Sequence, residues 1–144
     1  MSLLHDAYTA LLSGLTTKTG NEINWEDENK NPITVEPIDI NKEIYKARYY
    51  RPNGNKCREI DYQKDQLHGK DIAWWESGTK HWETDYQKGQ RHGKDIEWYK
   101  SGNKRWEIDY QKGQCHGKHI RWNENGKVKS EKLYENDKLI RKIK

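Results

Sequence analysis

Three histidines share one spacing. His68-Gly69-Lys70, His92-Gly93-Lys94 and His116-Gly117-Lys118 lie 24 residues apart, and neutral imidazole is the commonest metal ligand. Carboxylate pairs recur at the same interval, as Glu59/Asp61, Glu83/Asp85 and Glu107/Asp109. Paired carboxylates are the residue types of general acid–base chemistry. Two thiols, Cys57 and Cys115, complete the reactive set. Metal binding and acid–base catalysis both need groups that converge on one point. If each copy contributes two strands, equivalent residues stand about 9–10 Å apart, whereas zinc ligands sit about 2 Å from the ion. The spacing therefore predicts no shared metal, no catalytic constellation and no cofactor. The histidines read as packing groups beside neighbouring rings, with each glycine admitting close approach. The carboxylates read as a solvated, salt-bridged face. No glycine-rich phosphate loop runs from a strand into a helix.

Those residues are carried by a repeat. Residues 74–97 and 98–121 match at 16 of 24 positions, and residues 50–73 match the middle copy at 13 of 24. The stretch from Trp122 begins a fourth copy and drifts: Gly126, Glu131 and Tyr134 keep their places, but the His-Gly pair is missing. A fixed period of this size marks a repeat architecture, whose terminal copies are commonly atypical. Only 31% of the chain is hydrophobic and Phe is absent, yet Trp (7) and Tyr (9) are plentiful. Apolar area concentrated in rings suits a thin sheet, and disordered chains lack such aromatics. Net charge is +4, from 27 basic and 23 acidic side chains well mixed. That balance argues against nucleic acid, whose binders show a basic stripe. The cysteines fall in different copies and are expected to stay unpaired, which favours a reducing, cytoplasmic setting. No secretory signal or membrane span is apparent.

Three regions follow. Leu3, Leu4, Ala7, Tyr8, Leu11, Leu12 and Leu15 recur at helical spacing, so residues 1–17 are expected to hold a short amphipathic helix capping one end of the aromatic face. Residues 18–49 are expected to hold a degenerate first repeat and connecting strands. Ile23 and Trp25 mark a short strand, Ile33, Val35 and Ile38 an edge strand among prolines, and Ile44 to Tyr50 a firmer one. Residues 50–144 carry the 24-residue hairpin repeats and the atypical C-terminal cap. Asn53-Gly54, Ser77-Gly78, Ser101-Gly102 and Asn125-Gly126 read as turns, as do Lys64-Asp65, Lys88-Gly89 and Lys112-Gly113. The fold class is thus an all-β repeat array: a single-layer antiparallel meander of β-hairpins with a short N-terminal α-helix.

Side chains alternate along a strand. Even-numbered positions hold Trp82, Thr84, Tyr86, Ile96, Trp98, Trp106, Ile108, Tyr110, Ile120 and Trp122. Odd ones hold His81, Glu83, Asp85, Asp95, Glu97, Arg105, Glu107, Asp109 and His119. The hairpin loops are expected to contain three or five residues, with Gly78 and Gly102 as the left-handed residue of a bulged turn, so that parity is conserved. Trp74, Trp82, Trp98, Trp106 and Trp122 then share one aromatic face opposite a charged one, on which Trp75 and Tyr99 stand as exposed rings.

Tyr86 to Lys94 and Tyr110 to Lys118 both read Tyr-x-x-Gly-x-x-His-Gly-Lys. The pattern resembles the MORN repeat, and most nearly the bacterial variant found in the YwqK-family antitoxins, over roughly residues 49–140. Tyr62 to Lys70 departs from it at Asp65. The resemblance implies a β-hairpin array serving as a binding scaffold, in the bacterial branch one that neutralises a cognate toxin. MORN arrays elsewhere are linked to lipid binding or self-association.

The expected function is a non-enzymatic protein–protein interaction scaffold, antitoxin-like in its partner. Between copies the framework is fixed while His81 alternates with Arg105 and Cys57, Glu97 with Arg121 and Ala73, and Asp95 with His119. The expected partner-binding surface is Trp75, His81, Glu83, Tyr99, Arg105 and Glu107. Self-association through the aromatic face or a sheet edge is a further expectation. Peripheral binding of anionic membrane lipids, through basic turns and the tail Lys138–Lys144, is the alternative.

Overall fold

The turns fix the strands. Lys88 and Gly89 both hold positive φ (50° and 78°), as do Lys112 and Gly113 (50° and 82°) and Asn136 and Asp137 (47° and 65°). Two consecutive left-handed residues make the type I′ turn, whose twist matches that of the flanking strands. At the opposite end of each hairpin stands a five-residue loop such as 75–79, closed by Gly78 N–H to the Trp75 carbonyl at 2.9 Å.

The computed structural model describes residues 23–144 except 28 and 40; the helix expected within residues 1–17 lies outside the described residues. Eleven strands are described: β1 (Ile23–Glu26), β2 (Pro32–Asp39), β3 (Ile44–Tyr50), β4 (Lys56–Gln63), β5 (Gln66–Trp74), β6 (Lys80–Gln87), β7 (Gln90–Trp98), β8 (Lys104–Gln111), β9 (Gln114–Trp122), β10 (Val128–Glu135) and β11 (Lys138–Lys142). They form one antiparallel sheet in chain order, an all-β meander. β2 is an interior strand between β1 and β3, and not the edge expected from its prolines. Pro32 opens it and Pro37 borders a register shift, the two interior places where a missing N–H is tolerated.

The five tryptophans do not share a face. Trp82 lies opposite Glu97, and Glu97 opposite Trp106. Trp98 therefore projects from the other side of the sheet. Two one-residue effects reverse the expected parity. Lys88-Gly89 and Lys112-Gly113 are two-residue turns, which exchange odd for even across the hairpin. The five-residue loops conserve parity, but each is followed by a bulge: Trp98 pairs with Lys104 while Glu97 pairs with Trp106, leaving Arg105 as the extra residue. His81 is the extra residue in β6, Cys57 in β4 and Lys129 in β10. A bulge of this kind turns the strand and re-aims its side chains.

One face, here the ladder face, carries the repeated salt bridges. Lys70 reaches Glu83 (2.5 Å) and Asp85 (2.8 Å), and Lys80 reaches Glu83. Lys94 and Lys104 treat Glu107 and Asp109 alike. Lys56, Lys80 and Lys104 also sit over the rings of Trp74, Trp98 and Trp122. The opposite face, here the notch face, holds the apolar core of Ile33, Val35, Tyr45, Ala47, Ile60 and Tyr62.

The His-Gly-Lys motif is structural. Gly93 has φ of 101°, and a Cβ there would stand 2.9 Å from Asp85 Oδ2. The bare backbone lets Asp85 accept the Lys94 N–H at 3.2 Å, and Asp61 and Asp109 do the same for Lys70 and Lys118. A carboxylate thus replaces the backbone partner lost where the ladder shifts register. His68 Nδ1 accepts the N–H of Lys88 from the next copy's turn at 3.3 Å, and His92 that of Lys112 at 3.5 Å. The glycine does admit close approach, but of a carboxylate and not of a ring.

Candidate functional site

Three sets of positions that vary between copies, 51/75/99, 57/81/105/129 and 73/97/121, converge at the loop end of the notch face. Each five-residue loop begins with a residue that reaches sideways to the next copy. Arg51 Nη2 donates to the Trp74 carbonyl (2.8 Å), Trp75 Nε1 to that of Trp98 (3.3 Å), and Tyr99 Oη to that of Trp122 (3.0 Å). Trp75 and Tyr99 are therefore half-buried staples between copies, and not free rings on a charged face. Beside each staple stands the bulge residue, then the strand residue after it, then a varied residue of the following strand. Three equivalent notches result, and the middle one contains Trp75, His81, Trp82, Glu97 and Arg105.

The middle notch is filled from within. His81 stacks on Trp75 with ring centroids 3.5 Å apart and meets Trp82 edge-on at 4.6 Å. Arg105 Nη1 bonds Glu97 Oε1 at 2.6 Å. The guanidinium also lies over Trp106 and Tyr99, at 4.9 and 5.8 Å. Burial holds the His81 imidazolium below its ordinary pKa, with Glu97 opposing and Arg105 assisting. Stacked between rings with a lowered pKa, His81 is neutral near pH 7.

Of the six residues expected to bind a partner, Trp75, His81, Tyr99 and Arg105 come together on the notch face. Glu83 and Glu107 do not: they project from the ladder face, bonded to lysines. Burial alone would raise these carboxyl pKa values, but the lysines more than offset it and both lie below the usual range. Residues absent from that expectation but present at the middle and third notches include Trp82, Glu97, Trp106, Arg121 and Lys129. The 24-residue period itself pointed to Lys129, which follows the expected Arg105 by one period, and Arg121 follows Glu97 in the same way.

Among the described residues no group of three or more His, Cys, Asp or Glu side chains is placed to hold a metal ion. Cys57 and Cys115 are both free thiols. No helix among the described residues is long and apolar enough to cross a membrane. No family model matches this chain, and no curated protein does.

Proposed function

We propose that the chain is a non-enzymatic protein-binding scaffold of the bacterial MORN type that captures and neutralises a toxin-like protein. Support comes from one observation. Three sets of positions that change between copies, 51/75/99, 57/81/105/129 and 73/97/121, gather on a single face at one end of the hairpins, while 67/91/115 change at the other end. Residues that stay constant form the glycine turns, the Asp-Gly bulges and most of the salt-bridge ladder. A constant frame with a varied, aromatic and charged surface is how a recognition module is built. The test is co-purification of the tagged chain with the product of a neighbouring gene. A stoichiometric partner retained by the wild type and lost by Arg105→Glu fits the proposal. Absence of any stoichiometric partner rejects it.

A second reading has its own observation. β11 is exposed along its whole length, and Leu139, Ile140 and Ile143 are 46%, 51% and 47% exposed among Lys138, Arg141, Lys142 and Lys144. Apolar and basic side chains on one edge suit the surface of an anionic membrane. Sedimentation with phosphatidylserine vesicles that Ile140→Ser weakens favours this reading; failure to sediment at low salt removes it.

A further inference from the structure

The three notches are the same architectural site with different charge. In the first, Ala73 occupies the varied strand position. In the second, Glu97 occupies it and is neutralised by Arg105. In the third, lined by Tyr99, Arg105, Trp106, Arg121, Trp122 and Lys129, Arg121 stands where the acid stood and Lys129 where Arg105 stood. Both are exposed, and neither has an ion-pair partner among the described residues. Arg105 is turned back toward Glu97. The third notch is therefore a cationic recess with an aromatic wall and no internal counter-charge. Its surroundings are electropositive beyond the recess as well: after burial, Arg121 and Lys132 are what hold the pKa of neighbouring His119 below its ordinary value.

We infer that this third notch, between β8, β9 and β10, receives a carboxylate side chain from an acidic segment of a protein partner, an inference that rests on the scaffold reading above. The recess measures about 150 Å³, a size that suits a single side-chain head. Arg121 supplies a planar donor fork matched to a carboxylate, and Lys129 a second charge-assisted donor. The middle notch shows the same pairing made internally, Arg105 on Glu97. Nucleic acid fits less well. Two unpaired cations in one recess do not form the track of phosphate contacts that such binding requires.

The test titrates full-length protein with a blocked Gly-Glu-Glu-Gly peptide, following the Trp106 indole and Arg121 side-chain N–H signals by NMR. The comparison probes are Gly-Gln-Gln-Gly, inorganic phosphate and an oligothymidylate of equal charge. Arg121→Glu installs the residue the middle copy already carries there, and Lys129→Glu is a second variant should the first fail to fold. Expected is binding of the glutamate peptide alone, weakened at least about tenfold by either substitution and reduced by salt. Binding that neither substitution alters, no binding of the glutamate peptide, or tighter binding of phosphate or oligothymidylate overturns the inference. If Arg121→Glu still captures a stoichiometric partner, the notch assignment fails while the scaffold reading stands. If the peptide binds as expected but no partner co-purifies, the scaffold reading fails while the recess stands as a carboxylate site.

Discussion

A single row of side chains crosses the notch face and changes character from one end to the other. Val35, Ala47, Ile60, Asp71, Thr84, Asp95, Ile108, His119 and Lys132 lie opposite one another in sequence through successive strands. Val35 and Ala47 are fully buried and Ile60 nearly so; Asp71, Thr84 and Asp95 open gradually to 8% exposure, and from Ile108 onward the row is only half-buried. The same backbone repeat is thus held in two ways. Toward β2–β4 the hydrophobic effect stabilises it, at about 25 cal/mol per Å² of apolar area. Toward β8–β10 turns, bulges and ion pairs carry the geometry, and the face is left for recognition. An array with constant local bonding tolerates such a gradient because each strand needs only its neighbours.

The sharpest way to break the comparison is to remove the same side chain from both ends. Ile60→Ala empties a site in the buried cluster and is expected to cost about 3 kcal/mol. Ile108→Ala, in the same row but half-buried, is expected to cost about 1 kcal/mol. Urea denaturation gives both values, and equal losses would mean that the two ends are stabilised alike.

The second largest effect belongs to the bulge that every full copy shares. A methyl group at Gly93 would stand 2.9 Å from Asp85 Oδ2 and 3.1 Å from its Cβ, at a φ of 101°. Asp85 cannot retreat without releasing the Lys94 N–H and Lys70. Gly93→Ala is expected to cost about 2–3 kcal/mol, combining backbone strain with the displaced carboxylate. Gly102→Ala meets nothing within 4 Å and should cost about 1 kcal/mol, from its φ of 90° alone. Melting temperatures of the two variants separate these terms, and a Gly102→Ala loss as large as that of Gly93→Ala would remove the role given to Asp85.

Period, turns and meander were legible in the sequence because glycine at fixed intervals and repeated aromatic strands leave few alternatives. The faces were not. Parity depends on single-residue events: Gly78 and Gly102 do take the expected left-handed conformation in their loops, but the two-residue turn at Lys88-Gly89 and the further bulge at Arg105 reverse the faces. Gln87 and Gln90 flanking Lys88-Gly89 are consistent with the short turn, which is also the commonest hairpin type. The constant eight-residue interval from Asp61 to Gly69, Asp85 to Gly93 and Asp109 to Gly117 was the available sign of a carboxylate-filled bulge. The lateral bonds of Trp75 and Tyr99 left no such sign, since a ring at a loop looks the same in sequence whether it waits for a partner or staples a neighbour. Four of the six residues of the expected surface, Trp75, His81, Tyr99 and Arg105, lie together because the parity error moves them as a group, while Glu83 and Glu107 project from the ladder face.

Acid separates the ladder face from the notch face. Burial opposes ionisation of Glu59, but Lys56 and Lys46 hold its pKa down at about 2, and Glu83 and Glu107 are lowered in the same way. A carboxyl lowered in the folded state binds its proton first in the unfolded chain. Its stabilisation is present above the unfolded value near 4.5 and is lost as pH falls toward 2. The urea midpoint is expected to drop across that window, by about 1 kcal/mol or less for each ladder carboxylate after solvent screening. Glu59→Gln should flatten part of the drop. A midpoint independent of pH between 5 and 2 would show that the ladder is ornamental to stability.

The smallest single effect, that of Asp95→Asn, is read against a second acid of the same row. Asp71 accepts from Arg58 Nε and Nη2, at 2.9 and 2.7 Å. Asp95 has weaker support: the Thr84 hydroxyl at 3.3 Å and Arg91 at 3.5 Å. Burial raises the Asp95 pKa, and Arg91, Thr84 and Trp106 only partly offset it, with Asp71 adding repulsion. The sign is then opposite to that of the ladder. At pH 7 the folded chain holds an Asp95 charge that is easier to carry unfolded, and stability is regained as pH falls through the raised value. Asp95→Asn keeps an acceptor for Thr84 and removes the charge, so it is expected to stabilise by less than about 1 kcal/mol at pH 7 and to have no effect at pH 3. Asp71→Asn strands Arg58 without its partner and is expected to destabilise by about 1–3 kcal/mol at pH 7. Thermal unfolding of both variants at the two pH values decides the matter. Equal destabilisation by the two would mean that Asp95 is as fully paired as Asp71, and that the row opens in exposure without weakening in its interactions.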